Sequence, residues 1–380
     1  MKLPLRQQGT VLVIALLVVA IIVGLATSFS ARFNLTIKRT ENRLFNAQLQ
    51  QYWYAIENAS MKGLLDDKDD DINNGHQVFD HLGEDWSSKD NLESIRQLIQ
   101  IELKDEALLN KLDVVDAQAR INLNRLATRP PKYNTNMPFP QRYTEEQKRL
   151  IRLLQTRSDP NGASLVTADE AEQLVDAVID WLDDDSTPQG NGGAEDGYYL
   201  SKDPAYRAAN QPFTSVTELL MIRGFDERPE LYREIAPLLI ALPAGEALNI
   251  NTADARIVRT VNVTSSPNPI DQVDADSLIA DRPTASGIAV DADGNPVASA
   301  NQAFEQVADF SGSADFQGLF IDPKDQPVLT DFTTGTNYFI LMAQITIGDV
   351  SRIFYSLLER REDKGNYRMA VVARSNDGVF

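Results

Sequence analysis

Between Thr10 and Ala31 the chain carries no charged side chain, and this run of 22 residues constrains the fold more than any other feature. As a helix rising about 1.5 Å per residue, it matches a hydrocarbon core of about 30 Å. Lys2 and Arg6 precede it and Arg32 ends it, which favours a cytoplasmic amino terminus and a body outside the cytoplasm. No Pro follows through Leu65, and Gly63 comes only near the end of the pattern. One helix is therefore expected from about Thr10 to Leu65, apolar all round over 10–31 and amphipathic over 32–65. In the second half Phe33, Ile37, Leu44, Phe45, Leu49, Tyr52, Ile56 and Leu64 recur at helical spacing. A removed signal peptide, cut after Ser28 and Ser30, is the alternative. The run is longer than a usual signal core of about 7–15 residues, and the helical pattern passes straight through the cut.

With 380 residues, two domains are a better expectation than one. The 36 Lys and Arg are outnumbered by 55 Asp and Glu, a net charge of -19. Such a chain repels phosphate backbones and attracts cations, divalent metals included. It has no Cys, which excludes disulfides, thiolate catalysis and cysteine-based zinc sites.

Residues 66–81 read as an acidic loop that breaks the helix, and 89–110 as a second helix. Around Asp116–Ala119 a short hairpin is expected. Residues 124–262 show apolar spacings of three and four behind Thr or Ser caps and read as mostly helical. From 263 to 335 Pro, Gly, Ser and Asp dominate, with a hairpin expected at 288–298. The last section reads as three antiparallel strands, the first two joined at Gly348-Asp349. The fold class is α+β: a long helix on a small antiparallel sheet, with a large helical domain inserted.

The strongest chemical constellation is WLDDDSTPQGNGGAEDGYY at 181–199. Asp183, Asp184, Asp185, Glu195 and Asp196 bracket a Gly-rich loop that contains no Lys or Arg. Converging carboxylates repel one another, and a hard cation taking six to eight oxygens relieves that cost. A calcium site and a solvated acidic loop both fit the residues. Asp69, Asp71, Asn73 and Asp80 mimic an EF-hand-like loop, but Asn74 stands where Gly is needed and Asp80 where Glu is. A solvated linker is the better reading there, and a plain turn is for Asp291, Asp293 and Asn295. His76 and His81 lack an H-E-x-x-H context, and no nucleophile elbow, phosphate loop or dinucleotide fingerprint occurs. No catalysis is expected. FTSVTELLMIRGF, followed by LNINTA, resembles helix-hairpin-helix text, yet 213–245 is acidic overall, so no nucleic acid is expected as a partner. Trp53 is expected in the core against the sheet, with part of its stripe free for partner helices.

A basic leader, a Gly and an apolar helix that turns amphipathic resemble the type IV pilin-like class. That resemblance implies cleavage by prepilin peptidase between Gly9 and Thr10, with N-methylation of Thr10. The Glu usual at the fifth mature position is Ile14 here, so the chain cannot neutralise a neighbour's amino terminus within a repeating fibre. The body resembles the K subunit of type II secretion systems, the general secretion pathway protein K family. The matching stretches are QYWYAIENA, VDAQARINLN, VDAVIDWLDDD, GAEDGYYL, PFTSVTELLMIRGF, LNINTA and the NYF…SRIFYSLLERR pattern. The resemblance implies a pilin-like minor pseudopilin, without catalysis, that caps the pseudopilus tip and helps start its assembly. Its implied layout is a cleaved leader at 1–9, a transmembrane segment at 10–31, and a helix extension at 32–65. Pseudopilin parts at 66–123 and 326–380 then flank an inserted helical domain at 124–325. Implied partners are the I and J minor pseudopilins, prepilin peptidase, the major pseudopilin fibre below, membrane lipid and the secreted substrate. The implied location is a Gram-negative inner membrane, with the body periplasmic. Calcium is implied in the helical domain, with Asp183, Asp185, Glu195 and Asp196 favoured over Asp184. The competing reading is a membrane-anchored periplasmic protein that captures a ligand or DNA.

Overall fold

The computed structural model describes residues 8–73, 79–103, 107–128, 137–157, 164–280, 282, 303–363, 366–375, 378 and 380. Helix α1, Gln8–Asn73, is unbroken over 66 residues. Every residue from 11 to 44 is exposed, and burial begins where the helix meets the sheet. From there Leu49, Trp53, Ile56, Ser60, Leu64 and Lys68 form a buried stripe in steps of three and four. Phe33, Ile37 and Leu44 belong to the expected amphipathic pattern but are exposed, because they lie short of that meeting point. The boundary is marked by Phe45, whose ring would lie 3.8 Å from a Cβ on Gly348.

The helix also continues past Leu65 through the acidic residues expected to form a loop. Lys68 accounts for this extension. It is buried beside Asp80, with its Nζ 3.5 Å from the carboxylate. Holding that contact keeps the last turns wound despite their charge.

Helix α2, Lys89–Leu103, leads into β1, Leu108–Asp116. The second helix thus ends before residue 110. Residues 108 and 109 are already paired with Thr346 and Ile345 of β6, Tyr338–Ile347. The remaining strands are β2, Ile121–Asn122; β3, Leu239–Ile240; β4, Leu248–Asn249; β5, Phe332–Thr333; β7, Val350–Asp363; and β8, Asn366–Ser375. The main sheet runs β1-β6-β7-β8, antiparallel throughout. Ile347 pairs with Val350 across Gly348-Asp349, the expected two-residue turn, with Gly348 at φ 54°. The expected hairpin around Asp116–Ala119 does not form. Asp116 Oδ1 accepts from Gln118 N at 2.6 Å and turns the chain through a short 3-10 segment. β2 then pairs in parallel with β3, more than a hundred residues away, and not with β1.

Trp53 is 1% exposed and stacks on Phe354 with centroids 5.4 Å apart, so it is the core residue expected. Trp86 meets Phe339 edge-on at 5.3 Å in the same core. Glu57, buried on α1, accepts from Arg374 Nε and Nη2 at 2.8 Å each and from Ser356, fastening the helix to β7 and β8.

A second core joins residues from Ile121 to Phe332. Its helices include α3, Phe139–Arg142; α4, Glu145–Leu154; α5, Ala168–Leu182; and α6, Asp196–Tyr199. Thr144 and Thr167 cap α4 and α5 as expected of Thr before an apolar period. Arg149 pairs with Asp331. Arg152 donates to the carbonyls of Thr260, Val263 and Ser266 at 2.8–2.9 Å, a cage that fixes an irregular loop. The segment expected as a helix at 215–225 is a 3-10 turn, Val216–Met221, under a Ser215 capping box. The hairpin expected at 288–298, with Asp291, Asp293 and Asn295, lies outside the described residues.

At the seam between the two cores sits Asp116, 3% exposed. Its Oδ2 accepts from Asn249 Nδ2 at 3.0 Å, Thr252 Oγ1 at 2.6 Å and Thr336 Oγ1 at 2.5 Å.

Candidate functional site

The acidic loop takes its shape from the end of α5. Trp181 anchors that end, donating to Glu218 Oε2 at 3.1 Å and meeting the Tyr199 ring edge-on at 5.3 Å. Asp183 N closes the helix on Ile179 O at 3.0 Å. The chain then bends on its own side chains. Asp183 Oδ1 accepts from Asp185 N at 3.3 Å, and Asp185 Oδ1 from Thr187 N at 2.7 Å. Asp180, fully buried, accepts from Gln189 N at 3.0 Å on both oxygens. A Cβ on Gly193 would lie 2.4 Å from Asp180 Oδ2, so only Gly lets the returning strand press this close.

That return delivers Glu195. One oxygen each from Asp183, Asp185 and Glu195 lies within 4.8 Å of the others. Glu195 is 5% exposed, and its Oε1 is buried with no hydrogen-bond partner. Burial, reinforced by the charges of Asp180, Asp183, Asp185 and Asp196, pushes its carboxyl up to about 8. An orphaned buried oxygen beside two further carboxylates fits a hard divalent cation. Three carboxylates supply part of a calcium shell, which carbonyls and water complete.

The other sequence candidates fall elsewhere. Asp196 is held by Arg207 Nη1 at 2.8 Å and by Ala208 N at 3.2 Å. Asp184 is exposed and outside the cluster. Asp69, Asp71 and Asn73 stand on α1, and a helix cannot wrap an EF-hand-like loop. Asp80, the last residue of that pattern, is buried and paired with Arg360 Nη2 at 2.5 Å. His76 lies outside the described residues, and His81 Nδ1 accepts from Gly83 N at 2.9 Å. In the helix-hairpin-helix-like text, Arg223 donates to Gly193 O at 3.0 Å and Arg228 pairs with Glu170, so neither guanidinium is free for phosphate. Sequence reasoning missed Asp180. Its signal was its place three residues before Asp183 on α5.

At the other end of the molecule Gly9 and Thr10 lie in the first turn of α1. Ile14 is exposed, and no Asp or Glu precedes Glu41. Among the described residues α1 is the one helix long and apolar enough to cross a membrane.

A family model described as type II secretion system (T2SS), protein K matches residues 119–244. Type II secretion system protein K of Pseudomonas aeruginosa is 30% identical over 358 residues, covering 94% of this chain and 90% of that one. The chain belongs to the type II secretion system protein K family. The protein K of Aeromonas hydrophila is 33% identical over 256 residues, covering 65% of this chain and 67% of that one. A solved chain in the GspK-GspI-GspJ complex of the enterotoxigenic Escherichia coli type 2 secretion system matches with a TM-score of 0.60. It is 22% identical and covers 89% of this chain and 98% of that chain, a likeness of fold. The α+β arrangement of long helix and antiparallel sheet is thus that of a protein K structural neighbour.

Proposed function

We propose that this protein K is the minor pseudopilin that caps the pseudopilus tip of a type II secretion system. It helps start assembly of the fibre that drives folded proteins across the outer membrane, and it catalyses nothing. The observation that carries the reading is α1 itself. Its uncharged, mostly apolar side chains from 11 to 31 are all exposed, so they need lipid or neighbouring helices around them, and no carboxylate occurs before Glu41. A repeating subunit needs a carboxylate to receive the next amino terminus inside an apolar bundle. Ile14 offers none, which suits a terminal position. The broad second core supports the same position, because its bulk would obstruct stacking of identical subunits.

In this reading prepilin peptidase cuts between Gly9 and Thr10 and methylates Thr10. Residues 10–31 anchor the chain in the inner membrane with the body in the periplasm. The solved relative is in a complex of GspK, GspI and GspJ, and I-type and J-type minor pseudopilins are the neighbours proposed for α1 here. Major pseudopilins lie below, and the secreted substrate meets the body from above. Calcium is held by Asp183, Asp185 and Glu195. When bound it supplies the positive charge that joins the end of α5 to the returning loop; Asp180 and Gly193 set the approach.

The test is the amino-terminal peptide mass of the protein from membranes with and without active prepilin peptidase. A peptidase-dependent, N-methylated Thr10 is expected. A terminus at Met1 or at Ala31 would remove the fibre-tip reading.

A further inference from the structure

Between the sheet and the second core a cleft of about 710 Å³ opens beside β1, lined by Val114 and Val115 of that strand and by Leu92, Arg120, Leu238 and Arg282. Its volume lies in the range of about 300–1,000 Å³ typical of binding sites. Among the described residues β1 is an edge strand, paired only with β6. Over its first residues the free edge is covered by side chains of α2. Arg96 Nη1 donates to Leu109 O at 2.8 Å, and Gln100 receives from Leu109 N at 2.8 Å while donating to Ala107 O at 2.7 Å. These contacts stand in for a missing strand. They stop there, and among the described residues no hydrogen bond reaches the outward edge of 113–115, where β1 enters the cleft.

The charges around the cleft are unevenly committed. Asp113 pairs with Lys111 at 2.5 Å, Asp116 is enclosed by its donors, and Asp254 Oδ1 accepts from Arg256 N at 2.8 Å. On the cationic side, Arg282 donates to Ile250 O and to Ala253 O, and its Nε is buried without a partner. Arg120 makes no ion pair or hydrogen bond among the described residues, and the Asp116 charge is the one that reaches it. A half-buried guanidinium without a hydrogen bond or ion pair among the described residues, in a chain of net charge -19, is a local exception that attracts an anion.

We propose that this cleft is a peptide-docking site: an extended segment of a partner protein adds a strand to β1 at 113–115 and places an Asp or Glu carboxylate on Arg120. The main-chain edge supplies affinity, as in other strand-addition sites. The valine and leucine walls accept alternate apolar side chains, and Arg120 selects for the acid. Nothing in this depends on the cation site, whose residues follow the C-terminal end of α5 and do not line the cleft.

The experiment is fluorescence anisotropy with the full-length chain in detergent micelles. The probe is a fluorescein-labelled hexapeptide, Ile-Thr-Val-Asp-Val-Thr amide, compared with the same peptide carrying Asn for Asp. Binding of the Asp probe is expected to be about tenfold tighter, the scale of a charge-assisted pair. Arg120→Gln should erase that difference, and hydrogen exchange should show the outward-facing amides within 113–115, those not bonded to β6, protected by the Asp probe. The Asp-to-Asn comparison on the unaltered chain stands even where Arg120→Gln fails to fold. No binding of either probe, equal binding of both, or no added protection at the outward-facing amides of 113–115 would overturn the proposal.

Discussion

Replacing Glu195 with Gln removes one negative charge from a cluster whose oxygens lie within 4.8 Å of one another. Each charged pair at that distance repels by about 1–3 kcal/mol for an effective dielectric between that of water and about 20. The variant deletes two of the three pairs. Without a metal, the folded chain relieves this repulsion by keeping a proton on Glu195, whose carboxyl sits near 8 against an ordinary 4.5. The unfolded chain releases that proton at the lower value. Stability from this group is therefore full below about pH 4.5 and is lost as pH rises to about 8. A shift of that size corresponds to about 5 kcal/mol, which water and salt at the loop surface reduce to about 2 kcal/mol. In EDTA the unaltered chain should then lose on the order of 4–8 °C in Tm between about pH 5.5 and pH 8. Glu195→Gln has no proton to lose there and should fall by less than half as much. Calcium at about 5 mM, above the dissociation constants of extracellular sites, should restore the unaltered chain at pH 8 and leave the variant unmoved. Near-UV circular dichroism melts suit the assay, because Trp181 and Tyr199 touch beside the loop. A Tm indifferent to both pH and calcium, or a variant that keeps the full calcium response, would refute the metal reading.

Two further outcomes follow from α1. Ile14→Glu should leave tip assembly and secretion intact, since a terminal subunit has no incoming amino terminus to neutralise; loss of secretion in a complementation assay would count against the tip position. Arg374→Ala strips Glu57 of its bidentate partner and leaves a buried carboxylate, at a cost of about 2–4 kcal/mol. Denaturant unfolding monitored by Trp fluorescence reads this directly, and a loss below about 1 kcal/mol would show that the helix is not fastened there.

Local features of the sequence carried over well. The uncharged run after Gly9 became exposed helix, Gly348-Asp349 became a two-residue turn, and Asp183, Asp185 and Glu195 met across the glycines. What was illegible depends on partners far along the chain. Nothing near Lys68 announces Asp80 and Arg360, yet their buried contact decides whether the acidic residues of 66–73 are helix or loop. Likewise β1 and β2 look like one hairpin locally, but their partners, β6 and β3, lie more than a hundred residues away. Asp196 read as a ligand alongside its neighbours; the structure pairs it with Arg207 and leaves it outside the three-carboxylate cluster.

The continuity of α1 has a mechanical consequence. At 1.5 Å per residue its 66 residues make a rod of about 100 Å, with no Pro along its length and no break as it passes from exposed surface to core. Glu57, Trp53 and Leu49 bolt the far end of that rod into the sheet. A thrust delivered to the apolar end therefore reaches the body without a joint to absorb it, and any tilt of the near end swings the distal mass through a proportionate arc.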